Sequence, residues 1–320
     1  MALSQSLVRA VNAALGRVGL RLARAAQTAG VVGGAPELPL PAGHGRDEIL
    51  ASLFSVALHR PPPNELRAYA EEDCDRFLYT LGLVPEGKRL DTLEIGSNPY
   101  FTTVLLKQFR DVALTLTNYT DGEVETRSEP LAFRDLTGAQ HAEHVSYINV
   151  NVEEQRLPLA DASFDLVLFC EVLEHMTNDP LAALTELSRV LRPGGHLILT
   201  TPNVARLENV ARLAGGLNVY DPYSGYGPYG RHNREYTVDE LSRLMTSLGF
   251  VAEEVFTADV HPRRELEYLP AGWSDGLDPG RSMALGQYIF SRWRKERPAG
   301  VTRPAWLYRS YPAEDGVGAG

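Results

Sequence analysis

The sequence predicts an α/β protein built on a mostly parallel sheet with helices on both faces. From Arg89 onward, strand-length apolar runs alternate with amphipathic helical patterns, the order that βαβ units produce. The stretch Phe164–Asn203, FDLVLFCEVLEHMTNDPLAALTELSRVLRPGGHLILTTPN, reads as strand, acidic loop, helix, Pro-Gly-Gly turn and strand. Upstream, Leu93–Tyr100 (LEIGSNPY) ends a strand at a turn that opens a helix.

In chain order, residues 1–26 come first. Leu3, Leu7, Val11, Leu15, Val18 and Leu22 recur at helical spacing, interleaved with Arg9, Arg17, Arg21 and Arg24, and the first acid is Glu37. Such a basic amphipathic helix suits peripheral contact with an anionic membrane surface, or packing on a protein surface. Gly, Pro and Ala enrichment over Ala26–Gly45 reads as a linker, so residues 1–35 form one appendage. Residues 36–88 read as a helical cap: one helix over Asp47–His59, a break at Pro61–Pro63, and a second over Glu65–Leu81 capped by Asn64. The α/β unit is expected over 89–297. Its strands are Asp91–Ile95, Ala113–Asn118, Val145–Val150, Phe164–Phe169, His196–Thr200, Val251–Ala258 and Ala284–Trp293. Its clearest helices are Pro99–Phe109, Leu181–Leu191 and Thr237–Leu248, the last with Thr237 and Glu240 spaced as a capping box and Gly249 as the stop. A Tyr- and Gly-rich insertion occupies 204–236, and residues 298–320 read as a loose tail.

The net charge of −10 argues against a nucleic-acid partner. Cys74 and Cys170, with neither CxxC nor zinc spacing, read as reduced thiols of a cytoplasmic protein. No run reaches the ~18 apolar residues that a membrane span needs.

The ordered motifs LEIG, LPLADASFDLV, EVLEH and LRPGGHLILTTPN resemble the class I S-adenosylmethionine (SAM)-dependent methyltransferases over Arg89–Trp293, about two thirds of the chain. The resemblance implies a seven-stranded Rossmann-like sheet ending in an antiparallel pair, with SAM at the carboxyl ends of the strands. Glu94 matches the acid that opens the glycine-rich motif and Gly96 its first glycine. Asn98 and Tyr100 stand where the family has further glycines, and Tyr100 is expected to narrow the pocket. Asn118 falls where an acid usually grips the ribose, with Asp121 three residues on as the alternative. Asn151 and the Val152 backbone match the adenine contacts, and Cys170 and Glu171 border the methionyl end.

Methyl transfer to an aliphatic hydroxyl needs alignment and a means of removing the proton. Glu171, Glu174 and His175 form E-x-x-E-H after the fourth strand, similar to ubiquinone-pathway and small-RNA 2′-O-methyltransferases. By that resemblance Glu171, Glu174, His175 and the later His232 hold Mg²⁺ or Mn²⁺. A metal-free alternative makes His175 or His232 the general base beside Glu171. In the insertion, Tyr226, Tyr229 and Tyr236, with Arg231 and Arg234, are the candidate acceptor contacts, as tyrosine faces suit sugar rings. Saccharide O-methylation is the expected activity. Methylation of a quinone, polyketide or other small natural product is the alternative, and a non-catalytic partner-binding role is a third, motivated by Asn98, Tyr100 and Asn118. RNA 2′-O-methylation is disfavoured by the acidic balance.

Overall fold

The computed structural model describes residues 32–59, 63–262, 284–300 and 302–310. The basic helix expected over 1–26 lies outside the described residues. The elements run β1 (Val32–Gly33), α1 (Arg46–Leu53), β2 (Ala57–Leu58), α2 (Pro63–Leu83), β3 (Leu90–Ile95), α3 (Phe101–Phe109), β4 (Val112–Asn118), β5 (Glu125–Arg134) and β6 (Gln140–Asn149). Then follow β7 (Phe164–Cys170), a 3₁₀ turn (Leu173–His175), α4 (Pro180–Val190), β8 (Leu191–Pro202), α5 (Leu207–Ala214), α6 (Val238–Ser247), β9 (Phe250–Ala258) and β10 (Tyr288–Lys295).

Among the described residues the sheet has ten strands, in the order β1-β9-β10-β8-β7-β3-β4-β6-β5-β2. The expected seven are all present: β3, β4, β6, β7, β8, β9 and β10. Three further strands extend them. β1 pairs with β9, and the β5–β2 pair adds to β6. β5 has no counterpart in the sequence reading, because its solvent-facing residues are polar and its sequence ETRSEPLAFR carries a proline. β10 runs antiparallel between β8 and β9, so it is interior. The chain leaves β3 toward β4 and β6, then returns to β7 on β3's other side. This reversal opens a crevice at the carboxyl ends of β3 and β7.

Strand alternation feeds two cores. In β7, Leu166 and Leu168 join one cluster while Val167 and Phe169 join the other. The first cluster receives Leu66, Ala70, Cys74, Phe77, Leu78 and Leu81 of α2, a helical stripe, against Phe101, Val104 and Leu105 of α3. The cap helices therefore share the sheet's core. The helix expected over Asp47–His59 stops at Leu53, because Ala57 and Leu58 leave to pair with β5. The second cluster receives Leu181, Leu184 and Leu187 of α4 and Leu241, Leu244 and Leu248, on and just past α6. Asp179 caps α4 through the Leu181 N–H at 3.0 Å, and the Thr237–Glu240 capping box forms as its spacing implies. The described part of the tail is docked: Trp306 and Tyr308 pack on this core, and the Tyr308 hydroxyl donates to Asp179 at 2.6 Å. No helix among the described residues is long and apolar enough to cross a membrane.

Candidate active site

Two cavities with separate linings lie near the carboxyl ends of β3, β7 and β8. The first, of about 520 Å³, is walled by Gly96 and Asn98 after β3, Asn118 and Tyr119 after β4, Asn151 and Val152 after β6, and Glu171, Val172 and His175 after β7. Gly96 holds φ +69, and a Cβ there would meet Val172 at 3.0 Å, so this turn excludes a side chain. Asn118 is committed locally. Its Oδ1 accepts from the Asn98 N–H at 2.8 Å and the Ser97 hydroxyl at 3.2 Å, and its Nδ2 donates to the Tyr100 hydroxyl at 2.9 Å. Those bonds build the turn that glycines usually allow, and they leave the Asn118 amide little capacity for a ligand. Tyr100, at φ 68, does not narrow the cavity: it is fully buried with its hydroxyl on Glu129 at 2.5 Å. Asp121 is exposed and off the wall.

Two residues expected at the cofactor lie behind the wall. Glu94 faces the core, accepts from Thr103 at 2.6 Å, and is pushed up to about 7 by burial. Cys170 packs against the first core, where burial pushes its thiol up to about 12. Both positions are strand residues whose side chains the pleat turns away from the crevice.

The second cavity, a cleft of about 1090 Å³, lies between the cap helices and the chain after β8. Its wall carries Asp47, Glu71, Glu72, Glu208, Asp221 and Glu235, against Arg46, Arg206, His232 and His261. The expected acceptor residues are elsewhere. Tyr226 is 94% exposed and Tyr236 only 1%. Tyr229 stands at the rim of the first cavity, taking a bond from Asn151 Nδ2 at 2.8 Å and meeting Tyr119 edge-on. Arg231 stacks over Tyr223, and Arg234 pairs with Glu240 at 2.6 Å. Tyrosine spacing did not reveal which side chains turn inward, because the insertion is irregular.

Between the cavities lies a cluster of ionisable groups. Glu174, His175 and His232 each present one ligand atom, all within 4.8 Å of one another. The 3₁₀ turn supplies the first two. Asn233 staples the distant third to it: its N–H donates to the Glu174 carbonyl at 2.7 Å and its Nδ2 to the His175 carbonyl at 3.0 Å. Each imidazole has Nδ1 engaged, His175 with the Arg231 carbonyl at 3.0 Å and His232 with Glu235 at 2.9 Å. This fixes the tautomers with Nε2 unprotonated when the rings are neutral. The Glu174 carboxylate is fully buried. Oε2 accepts from Thr201 at 2.9 Å, Oε1 has no hydrogen-bond partner among the described residues, and burial beside Glu171 pushes the group up to about 8. Burial, then His232, lowers His175. Burial opposes charge on His232 too, but Glu235 and Glu174 outweigh it and raise that ring.

Glu171 does not join the three. At φ 55 its backbone turns the side chain to Thr200 (2.8 Å) and to the buried Arg76 of α2 (3.7 Å). Burial raises Glu171, and Arg76 opposes that. Arg76 is also held by Asp73 at 3.0 Å and Tyr69 at 2.6 Å. Arg76, Asn233, Glu235 and Glu129 were not singled out from the sequence. Only the Thr200–Thr201 pair lay in a recognised motif, TTPN.

Residues 93–199 match the methyltransferase domain family. A protein of Mycolicibacterium smegmatis named a probable S-adenosylmethionine-dependent methyltransferase is 35% identical over 98 residues, 31% of this chain and 33% of that protein. A ubiquinone biosynthesis O-methyltransferase of Cereibacter sphaeroides is 31% identical over 169 residues, 47% of this chain and 62% of that protein. A 27-O-demethylrifamycin SV methyltransferase of Amycolatopsis mediterranei is 30% identical over 180 residues, 53% and 62% of the two chains. The chain thus spans about a third of the first of these relatives and less than two thirds of the others. The match to the methyltransferase domain family covers about a third of the chain, and it falls on a Rossmann-like sheet whose strand order reverses beside the first cavity.

Proposed function

We propose that the protein transfers a methyl group from SAM to a hydroxyl of a saccharide or glycan intermediate, with a divalent cation at the transfer point. The observation that carries this reading is the Glu174–His175–His232 cluster, with its orphaned buried carboxylate oxygen and two imidazoles locked to present Nε2. That donor set fits a divalent ion, and two nitrogens with one oxygen suit Mn²⁺ or a similar ion better than Mg²⁺. When bound there, such an ion would lower the pKa of an acceptor hydroxyl and fix its position.

The chain's own residues supply the rest. The first cavity, from Gly96 to Val152, takes SAM. Glu171, anchored by Arg76 and Thr200, borders the cavity where the methyl group would face the cleft. Thr201 and Glu235 hold Glu174 and His232 in place. The cleft's carboxylates offer acceptors to several hydroxyls at once, which favours a neutral polyol over a phosphorylated or apolar acceptor. The relatives' names favour a second reading, a quinone or polyketide hydroxyl.

Assaying turnover after chelation, then restoring Mn²⁺ or Mg²⁺, tests the metal. Full activity in chelator would reject it and leave His175, kept neutral by burial, as the base. Methylation of saccharides but not of quinols is the expected acceptor result, and the reverse would favour the second reading.

A further inference from the structure

Taking the first cavity as the SAM site, we infer that Glu129, on the added strand β5, grips the ribose diol of the cofactor. A vicinal diol offers two hydroxyl donors, and an ionised carboxylate is the acceptor best matched to receive both. Glu129 and Glu171 are the two carboxylates on the cavity wall among the described residues. Glu171 is already engaged by Arg76 and Thr200. Glu129 has no cationic partner among the described residues. Its Oε1 accepts from the Tyr100 hydroxyl at 2.5 Å and from Asn98 Nδ2 at 3.2 Å, while Oε2 has no hydrogen-bond partner there.

The fold explains why the acid comes from β5. Glu129, Leu131 and Phe133 lie on one face of the strand, and Leu131 and Phe133 are buried in the core. Glu129 therefore points inward, over the start of α3, and the Asn118–Tyr100–Glu129 hydrogen-bond chain carries it to the cavity. Asn118 occupies the end of β4 without a free acceptor, so it serves as the brace of the turn and Glu129 as the acceptor for the ligand. The hairpin and the substitutions at 98, 100 and 118 form one device.

Calorimetric titration of the full chain with S-adenosylhomocysteine and with its 2′-deoxy and 3′-deoxy analogues tests this. In the unaltered protein, loss of either hydroxyl should weaken binding about 10- to 100-fold. In Glu129→Gln that penalty should shrink to about threefold or less, because the charged acceptor is gone. Glu129→Asp, one methylene shorter, should shrink it likewise, and it decides the matter if the Gln variant does not fold. A merely structural Glu129 would weaken all three ligands together and leave their ratios unchanged. Unchanged ratios in the folded variants would overturn the assignment while leaving the cofactor reading intact. Absence of binding to the unaltered protein would overturn both.

Discussion

The two ends of the crevice are built on opposite principles. At the end proposed for the cofactor, Asn118, Asn98, Tyr100 and Glu129 form a hydrogen-bonded chain containing one carboxylate and no cation. At the end proposed for methyl transfer, Glu174, His175 and His232 are gathered, with Glu235 behind His232, while Glu171 nearby turns to Arg76. One end is largely satisfied before a ligand arrives. The other holds a buried carboxylate with an orphaned oxygen. A binding surface can be organised for stability, whereas a reaction centre keeps groups whose charge is costly until substrate or ion meets them.

The largest test of this contrast is Glu174→Gln. Turnover should fall at least ~100-fold, as expected when a group at the reaction centre is lost. Denaturant unfolding of the metal-free protein should show stability unchanged or increased, since an uncompensated buried acid has been neutralised. A strongly destabilised variant would mean that Glu174 is a structural anchor, and the contrast would fail.

A second test uses pH. Burial raises Glu174 to about 8 and Glu94 to about 7, both above an unfolded carboxyl near 4.5. The folded state thus binds more protons than the unfolded state between these values. The stability from these two groups is fully present below about pH 4.5 and is lost as pH rises through 7 and 8. Metal-free protein should show a falling thermal midpoint from pH 6 to about pH 9. Glu174→Gln should flatten the upper part of that fall, and saturating Mn²⁺ should flatten it in the unaltered protein. A midpoint that rises over this range without metal would show that Glu174 is ionised and accommodated.

The fold was legible because periodicity and strand order reflect burial, which the sequence records directly. Seven strands and the Thr237 cap follow from local pattern. The expected residues that the structure gathers are those at strand ends: Gly96, Asn151, Val152 and His175 line the first cavity, and Glu174 lies buried in the cluster beside His175. His232 was found as a histidine, but what carries it to the cluster is Asn233, which has no pattern of its own. Glu129 was hidden in a strand that reads as polar loop. Arg76 was hidden in a helix more than ninety residues before Glu171. The sequence does not say where Tyr226 and Arg234 point, because composition does not record direction and the insertion has no period to supply it.

At the cofactor end, Asn118→Ala should be the mirror image of Glu174→Gln. It leaves the Asn98 N–H without its acceptor and the Tyr100 hydroxyl without a donor. The expected cost is about 1–3 kcal/mol of stability in denaturant unfolding. Affinity for S-adenosylhomocysteine should fall about tenfold or more through the disordered turn. A variant that keeps its stability but loses affinity would return Asn118 to the role of direct ligand contact, and would weaken the assignment of Glu129.

The smallest expected effect calibrates the others. Thr237→Ala removes the capping box of α6, whose Glu240 N–H to Thr237 hydroxyl bond is 3.2 Å. Loss of such a cap costs about 1 kcal/mol. Thr237 follows Tyr236, which is tied by its carbonyl to the Val204 N–H, yet it touches neither cavity. Stability should therefore fall while cofactor affinity and turnover stay within about twofold of the unaltered protein, as for a site away from functional groups. If turnover fell as it should in Glu174→Gln, the segment from 232 to 237 would be transmitting strain into the cluster. The loss in Glu174→Gln could then no longer be assigned to its carboxylate alone. If it holds, a modest loss of stability is shown not to reach the transfer centre, and the effects at Glu174 and Asn118 can be read as local chemistry.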